Sequence, residues 1–353
     1  MRRLILNIHL VIGLAVGLFV ILLGITGSIL AFEPELDRWV HRDISYVKPG
    51  GRVLSLVEIG DAISHKYPGE SVVAFLPSRA PEFPTQVILS RGIISVNPYS
   101  GEVLGLRTRG QSFFGVVRAL HVRLAMGSIG RAVMDWSAFV TLVSLITGMY
   151  LWWPVKRMRI GGAWWSAKFW YDLHSSSGFF FSLPALFLAG TGVILGFGDQ
   201  ATWLLNRVIA SSTAGNNERA PIQKADMGGA EISPDRAIAI ARAQVPGAVP
   251  YRVQMPRYGG LYVVALELPR NRVTGERNSI ALDPSTGRIV SEHLASALSL
   301  RERLMATNSA IHNGNILGMP SRIVAALASI VLPVQAVSGL LIWLRRKGLL
   351  RTR

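Results

Sequence analysis

The chain has 353 residues, 50% of them hydrophobic and 16% charged, with a formal net charge of +16 and no cysteine. Soluble domains carry about 25% charged residues, so this composition excludes a cytosolic enzyme and a disordered chain. It points to a membrane protein with some water-facing mass. The lack of cysteine excludes disulfides, thiolate zinc sites, iron–sulfur clusters, covalent c-type haem attachment and cysteine nucleophiles.

Four uncharged apolar runs cover residues 10–32, 136–153, 175–198 and 323–344. A spanning helix needs roughly 20 residues, and residues 132–134 lengthen the short second run past Asp135. In chain order the expected organisation is a first transmembrane helix (1–32), an outer segment ending in an interfacial helix (33–130) and a second transmembrane helix (131–153). A short loop (154–173), a third helix (174–198), a second outer segment (199–321), a fourth helix (322–344) and a tail (345–353) follow. The first run is too long for a signal-peptide core and reads as a retained anchor.

Within the outer segments, 55–67 and 233–245 read as helices, the second with Ser233 as cap and Pro234 at its first position. Alternating runs at 86–96 and 261–282 read as strands. Each leads into a similar turn, Asn97-Pro-x-Ser-Gly101 and Asp283-Pro-x-Thr-Gly287. Each outer segment is therefore expected to form its own α+β module, with 213–229 as a loop.

Charge sets the expected orientation. The N-terminus, the loop 154–173 and the tail hold 11 basic residues (Arg2, Arg3, Lys156, Arg157, Arg159, Lys168, Arg345, Arg346, Lys347, Arg351, Arg353) against the single acid Asp172. The two long segments hold 11 basic against 9 acidic residues and 13 against 10. Both termini are expected in the cytoplasm and both long segments outside. The excess charge is then topological and not a nucleic-acid footprint. Trp152, Trp153, Trp164, Trp165, Trp170 and Trp343 suit an aromatic belt at the cytoplasmic interface.

The spans repeat. His9-x3-Gly13 and Thr26-Gly27 of the first correspond to His174-x3-Gly178 and Thr191-Gly192 of the third. His121-x5-Gly127-x3-Arg131, Thr147-Gly148 and Trp152 correspond to His312-x5-Gly318-x3-Arg322, Ser338-Gly339 and Trp343, with equal spacing throughout. The chain reads as two duplicated halves. His9 and His174 start two outward-running helices; His121 and His312 precede two inward-running ones. Two histidines at one depth, one from each half, suit the two axial positions of a haem, which needs a neutral imidazole nitrogen on each face. Without cysteine such a haem is b-type and held noncovalently. Gly13 and Gly178 lie one turn from their histidines and could admit a flat macrocycle or simply pack helices. Arg131 and Arg322 could pair with haem propionates or anchor the outer interface. His41, His65 and His293 have no repeat partner and read as surface residues.

These elements, Ile8-His9-x3-Gly13, Leu120-His121, Leu173-His174-x3-Gly178, Ile311-His312-Asn313 and the two Pro-x-Ser/Thr-Gly turns, resemble the PepSY-associated transmembrane helix family over nearly the whole chain. The resemblance implies a mainly α membrane protein, a four-transmembrane-helix bundle from two duplicated halves, with two periplasmic PepSY-like α+β modules. Members include bacterial inner-membrane ferric-siderophore reductases carrying b haems. By resemblance His9, His121, His174 and His312 are the haem-iron ligands. Some relatives carry a fused flavin-reductase domain. Here the chain ends nine residues after its fourth span, and no such domain is expected.

The expected function is thus transmembrane electron transfer through two b haems to an Fe(III)-siderophore docked between the outer modules, releasing Fe(II). Arg107, Arg109, Arg118 and Arg123 could attract an anionic complex, although a solvated or lipid-facing helix explains them too. No glycine-rich dinucleotide fingerprint follows a strand, so the donor is a cytoplasmic partner or quinol. Two rivals remain: a membrane-anchored PepSY-type binding or protease-regulatory protein, and a transporter, which the nearly bare midspans disfavour. Neither a nucleophile elbow nor a His-Glu-x-x-His motif suggests a hydrolase.

Overall fold

The computed structural model describes residues 1–108, 112–156, 158–209, 231–256, 260–268 and 277–350. Arg109, Arg157, Arg351, Arg353 and the expected loop 213–229 lie outside the described residues. In chain order the first half carries α1 (Arg2–Ala31), α2 (Glu33–Val40), α3 (Arg42–Ser45), α4 (Leu56–Lys66), β1 (Val72–Leu76), β2 (Thr85–Leu89), β3 (Gly92–Val96), β4 (Val103–Thr108), α5 (Phe113–Arg123) and α6 (Gly127–Trp152). The second carries α7 (Ala167–Phe180), α8 (Ser182–Gly196), α9 (Gly198–Ile209), α10 (Pro234–Gln244), β5 (Val249–Gln254), β6 (Tyr262–Glu267), β7 (Asn278–Leu282), β8 (Ile289–His293), α11 (Leu300–His312) and α12 (Met319–Arg346). Two compact units result. One comprises Met1–Glu33, Phe113–Val208 and Thr307–Arg353, the other Pro34–Ser112 and Ile209–Ala306.

In the helical unit, α1, α6 and α12 are each long and apolar enough to cross a membrane. At 1.5 Å per residue, the 30 residues of α1 reach well beyond about 30 Å of hydrocarbon. Only Val20, Gly24 and Thr26 of α1 are buried, while Leu4, Val11 and Leu18 face outward, as a lipid-facing surface requires. The helix α6 starts at Gly127 and passes Asp135 without interruption, in line with the lengthened second run.

The expected third span is two helices, α7 and α8, bent by 66°. Counted as one span, the pair makes a fourth. The break at Phe181 precedes Pro184, whose ring cannot donate to the Phe180 carbonyl and collides with it in a continuous helix. Pro333 lies inside α12 and leaves it unbroken. There Gly24 of α1 faces Pro333. A side chain at Gly24 would overlap the Pro333 ring and stand 2.5 Å from the Ser329 carbonyl that Pro333 leaves without its helical donor. The two helices close on each other at this point, and Ser28 Oγ donates to Ala326 O across the same seam (3.0 Å).

The other unit holds one antiparallel eight-stranded sheet, in the order β4-β3-β2-β1-β5-β6-β7-β8. Two separate modules were expected. Instead the four strands from each segment join through the β1–β5 pair, where Ala74 faces Gln254 and Phe75 faces Val253. The runs at 86–96 and 261–282 become the hairpins β2–β3 and β6–β7, residues 269–276 of the second lying outside the described residues. The two matched turns form as read: Gly101 and Gly287 donate to Asn97 O and Asp283 O (both 2.9 Å) and adopt φ of +74° and +72°. Ile59, Ile63, Phe75, Val87, Ile94, Ala237, Ala241, Val253, Val264 and Ile280 form a single core. The two helices are also capped together. Ser55 accepts from Glu58 N, and the Asp235 carboxylate of α10 accepts from Leu56 N (2.9 Å) and Val57 N (3.1 Å) of α4.

Candidate functional site

In the helical unit, His9 of α1 and His174 of α7 stand with ring centroids 6.2 Å apart and planes at 77°. His121 of α5 and His312 of α11 stand 6.3 Å apart, at 50°. The histidines therefore pair as the depth argument expects. Along α1, about 25 Å of rise separates His9 from Thr26, the residue that holds His121. The pairs lie at two levels.

Each ring is held at Nδ1 by a hydroxyl residue of another helix. His9 Nδ1 lies 3.1 Å from Ser144 O and 3.0 Å from Thr147 Oγ1. His174 Nδ1 lies 3.2 Å from Gln335 O and 3.0 Å from Ser338 Oγ. His312 Nδ1 lies 3.1 Å from Leu188 O and 3.2 Å from Thr191 Oγ1. His121 Nδ1 lies 2.8 Å from Thr26 Oγ1. The hydroxyl protons are already engaged: Thr147 donates to Val143 O, Ser338 to Val334 O, Thr191 to Phe187 O and Thr26 to Leu22 O. A carbonyl and an engaged hydroxyl can only accept, so each Nδ1 carries the proton and donates it. Each Nε2 then keeps its lone pair.

The glycine after each hydroxyl residue makes room for the ring. A Cβ on Gly148 would stand 3.2 Å from His9 Cε1, on Gly339 3.3 Å from His174 Cε1, on Gly27 3.3 Å from His121 Cε1, and on Gly192 3.1 Å from His312 Cε1. The repeated Thr/Ser-Gly dipeptide is thus an imidazole cradle. The sequence displayed it four times, yet its role was not legible, because each cradle serves a histidine on a different helix.

Two imidazoles whose ring centroids stand 6.2 or 6.3 Å apart, each anchored through Nδ1, could serve as two ligands of one metal centre. Metal–nitrogen bonds of about 2 Å, with about 1 Å more to each ring centre, place such rings about 6 Å apart, as both pairs are. Among the described residues no three of His, Cys, Asp or Glu gather as a metal cage. The protein thus offers two ligands per site. A porphyrin would supply the remaining four, and the donor set is compatible with a noncovalent haem.

The expected accessory residues divide. Gly13 has nothing within 4 Å of a built Cβ, which leaves its side of α1 open. At Gly178 the space is taken by Gln335, whose Oε1 would stand 2.9 Å from a Cβ and whose Nε2 donates to Ser177 Oγ (2.8 Å). Arg131 donates to Leu195 O (3.3 Å) and pairs with Asp135 (3.5 Å). Arg322 donates through Nε to Ala31 O (2.8 Å) and lies over the Phe32 ring. Both arginines thus tie down the last turn of an apolar helix. Arg107 is paired with Asp37 and Arg118 with Glu33, which neutralises half of the expected basic cluster. Trp152 is buried and stacks on Phe179, rings 3.6 Å apart and nearly parallel, whereas Trp153, Trp164 and Trp165 are exposed as a belt requires.

A cavity of about 410 Å³ lies at the ends of α6 and α8 and the start of α9, lined by Arg131, Asp135, Trp136, Phe197, Asp199 and Gln200 among others. Gly196 accommodates Asp135, since a Cβ there would stand 2.5 Å from Asp135 Oδ1. The wall residue Leu195 lies one helical turn, about 6 Å, beyond Thr191, which holds His312.

Fold and site together define a membrane protein with two pairs of imidazoles, one carried by α1 and α7 and the other by α5 and α11. The family described as PepSY-associated TM region matches residues 6–346, and the chain belongs to it. No curated protein matches the chain.

Proposed function

We propose that this protein is a di-haem b electron-transfer protein of the bacterial inner membrane that reduces Fe(III)-siderophore complexes on the periplasmic side. The observation that carries this reading is the double pair of imidazoles, 6.2 and 6.3 Å apart, each with Nδ1 anchored and Nε2 free to ligate. When bound, haem supplies reversible one-electron chemistry at each pair. His9 and His174 hold the centre on the cytoplasmic side and His121 and His312 the one on the periplasmic side, in a four-helix bundle of two duplicated halves with both termini in the cytoplasm. The charge asymmetry of the short connections supports this orientation. The donor is a cytoplasmic reductase or quinol.

The chain's own residues orient the ligands, keep the imidazoles neutral and offer a docking place. The cavity beside Asp135 and Asp199 lies close to the His121–His312 pair, and its volume falls in the range of small-molecule sites, about 300–1,000 Å³. Its two carboxylates outnumber the one guanidinium, which favours a neutral or cationic ferric complex over an anionic one. The guanidinium groups of Arg131 and Arg322 are the candidate partners of haem propionates.

The test is the absorption spectrum of detergent-purified, haem-supplied protein, oxidised and dithionite-reduced, with haem quantified per chain. A reduced b-type spectrum with two haems per chain supports the proposal. A folded, colourless protein overturns it and leaves a membrane-anchored binding or protease-regulatory protein built around the eight-stranded sheet.

A further inference from the structure

The four cradles are alike except in one bond. In three of them the carbonyl three residues before the hydroxyl residue also accepts from Nδ1: Ser144 before Thr147, Gln335 before Ser338 and Leu188 before Thr191. In α1 the corresponding carbonyl, Leu23 O, lies 3.4 Å from Thr26 Oγ1 and makes no hydrogen bond to His121. Among the described residues, His121 Nδ1 is held by the Thr26 hydroxyl alone. The His9–His174 pair therefore has two carbonyl acceptors and the His121–His312 pair has one.

We infer that Thr26 is the positioning residue on which the orientation of His121 depends, and that the missing carbonyl bond sets the His121–His312 centre at a higher redox potential than the His9–His174 centre. A carbonyl that accepts from Nδ1–H increases the basicity of the ring. A more basic axial ligand favours the oxidised metal and lowers the potential. Fewer such bonds at the second pair raise its potential, so electrons run downhill from the His9 level to the His121 level. This rests on the haem reading above and adds a direction to it. Thr26 is suited to the role: it is buried, and its proton is committed to Leu22 O at 2.6 Å, so its oxygen is a fixed acceptor.

The experiment is a potentiometric titration of the full-length, haem-loaded protein, followed by optical spectra, with H121A and H9A used to assign the two waves. The expected result is a higher midpoint for the wave that H121A abolishes. Thr26→Val keeps the branched shape but removes the acceptor. It is expected to shift that wave further upward or to lose that haem, while Thr26→Ser restores it. Thr147→Val leaves His9 the Ser144 carbonyl and is expected to move its wave less. Two results overturn the inference: a His121 wave at or below the His9 wave, or a Thr26→Val shift no larger than that of Thr147→Val. Wild-type protein without haem defeats the proposed function itself, before any variant is compared.

Discussion

His9 and His174 lie 165 positions apart in the chain, and their rings stand 6.2 Å apart. Each donates its Nδ1 proton to a different helix, His9 to α6 and His174 to α12. In the neutral ring this leaves Nε2 of each as the ligating atom. One bound iron would use both, so the two residues are expected to behave as a unit. Replacing either His9 or His174 by Ala should remove one haem of two per chain, and replacing both should remove no more. His121 and His312 should behave as the other unit. Haem quantification on the four single and two double variants checks this. A single variant that empties both sites contradicts the pairing.

The cradle glycines should be sensitive to volume. Gly148→Val places methyl groups against a ring whose Cε1 is already 3.2 Å from a Cβ position, and should displace His9 and lose its haem. Gly190, on α8 with nothing within 4 Å, should accept Ala with no change in the spectrum. Equal effects at the two positions would contradict a cradle role.

The close crossing of α1 and α12 at Gly24 should resist enlargement. Gly24→Leu must push Pro333 or Ser329 aside, and overpacking of this kind costs about 1–3 kcal/mol. Thermal unfolding in detergent should show a lowered midpoint. No change would mean that the helices do not meet there.

Substrate charge should be read in the cavity. Asp135→Asn and Asp199→Asn each remove one negative charge from its wall. They should raise KM several-fold for a cationic ferric trihydroxamate while leaving kcat and the haem spectra nearly unchanged. For an anionic ferric catecholate KM should fall or stay level. The same KM change for both complexes would exclude an electrostatic role for the cavity.

Acid should loosen the sheet through Asp283. Its carboxylate accepts from Ser285 Oγ and from the Thr286 and Ser285 amides, which holds its pKa down to about 2. The unfolded value is about 3.9. A depressed carboxylate contributes its full stability above the unfolded value and loses it as pH falls through the folded one. The loss therefore falls between about pH 4 and pH 2. Asp283→Asn, which keeps an acceptor but does not titrate, should flatten the far-ultraviolet circular dichroism profile of the full chain over that interval. Identical acid profiles would contradict this assignment.

Much was legible from the residues themselves. Long uncharged runs have to leave water, and residues such as Ile5, Leu10 and Val20 of α1 state that requirement locally. The turns at Asn97 and Asp283 and the capped helix starts at Ser55 and Ser233 follow from chemistry within five residues. The repeat also placed the four histidines at two matched levels. What could not be read is everything that depends on which surfaces meet. Thr147 serves His9, and Ser338 serves His174. Arg107 and Arg118 are neutralised by Asp37 and Glu33, and the strands of both outer segments share one sheet. Pro184 breaks its span, while Pro333 lies within an unbroken helix at the point where Gly24 lets α1 come close. A single sequence records hydropathy, turns and spacing, which act over a few residues. Hydrogen bonds and close packing between segments far apart in the chain exist only once the helices and strands are placed.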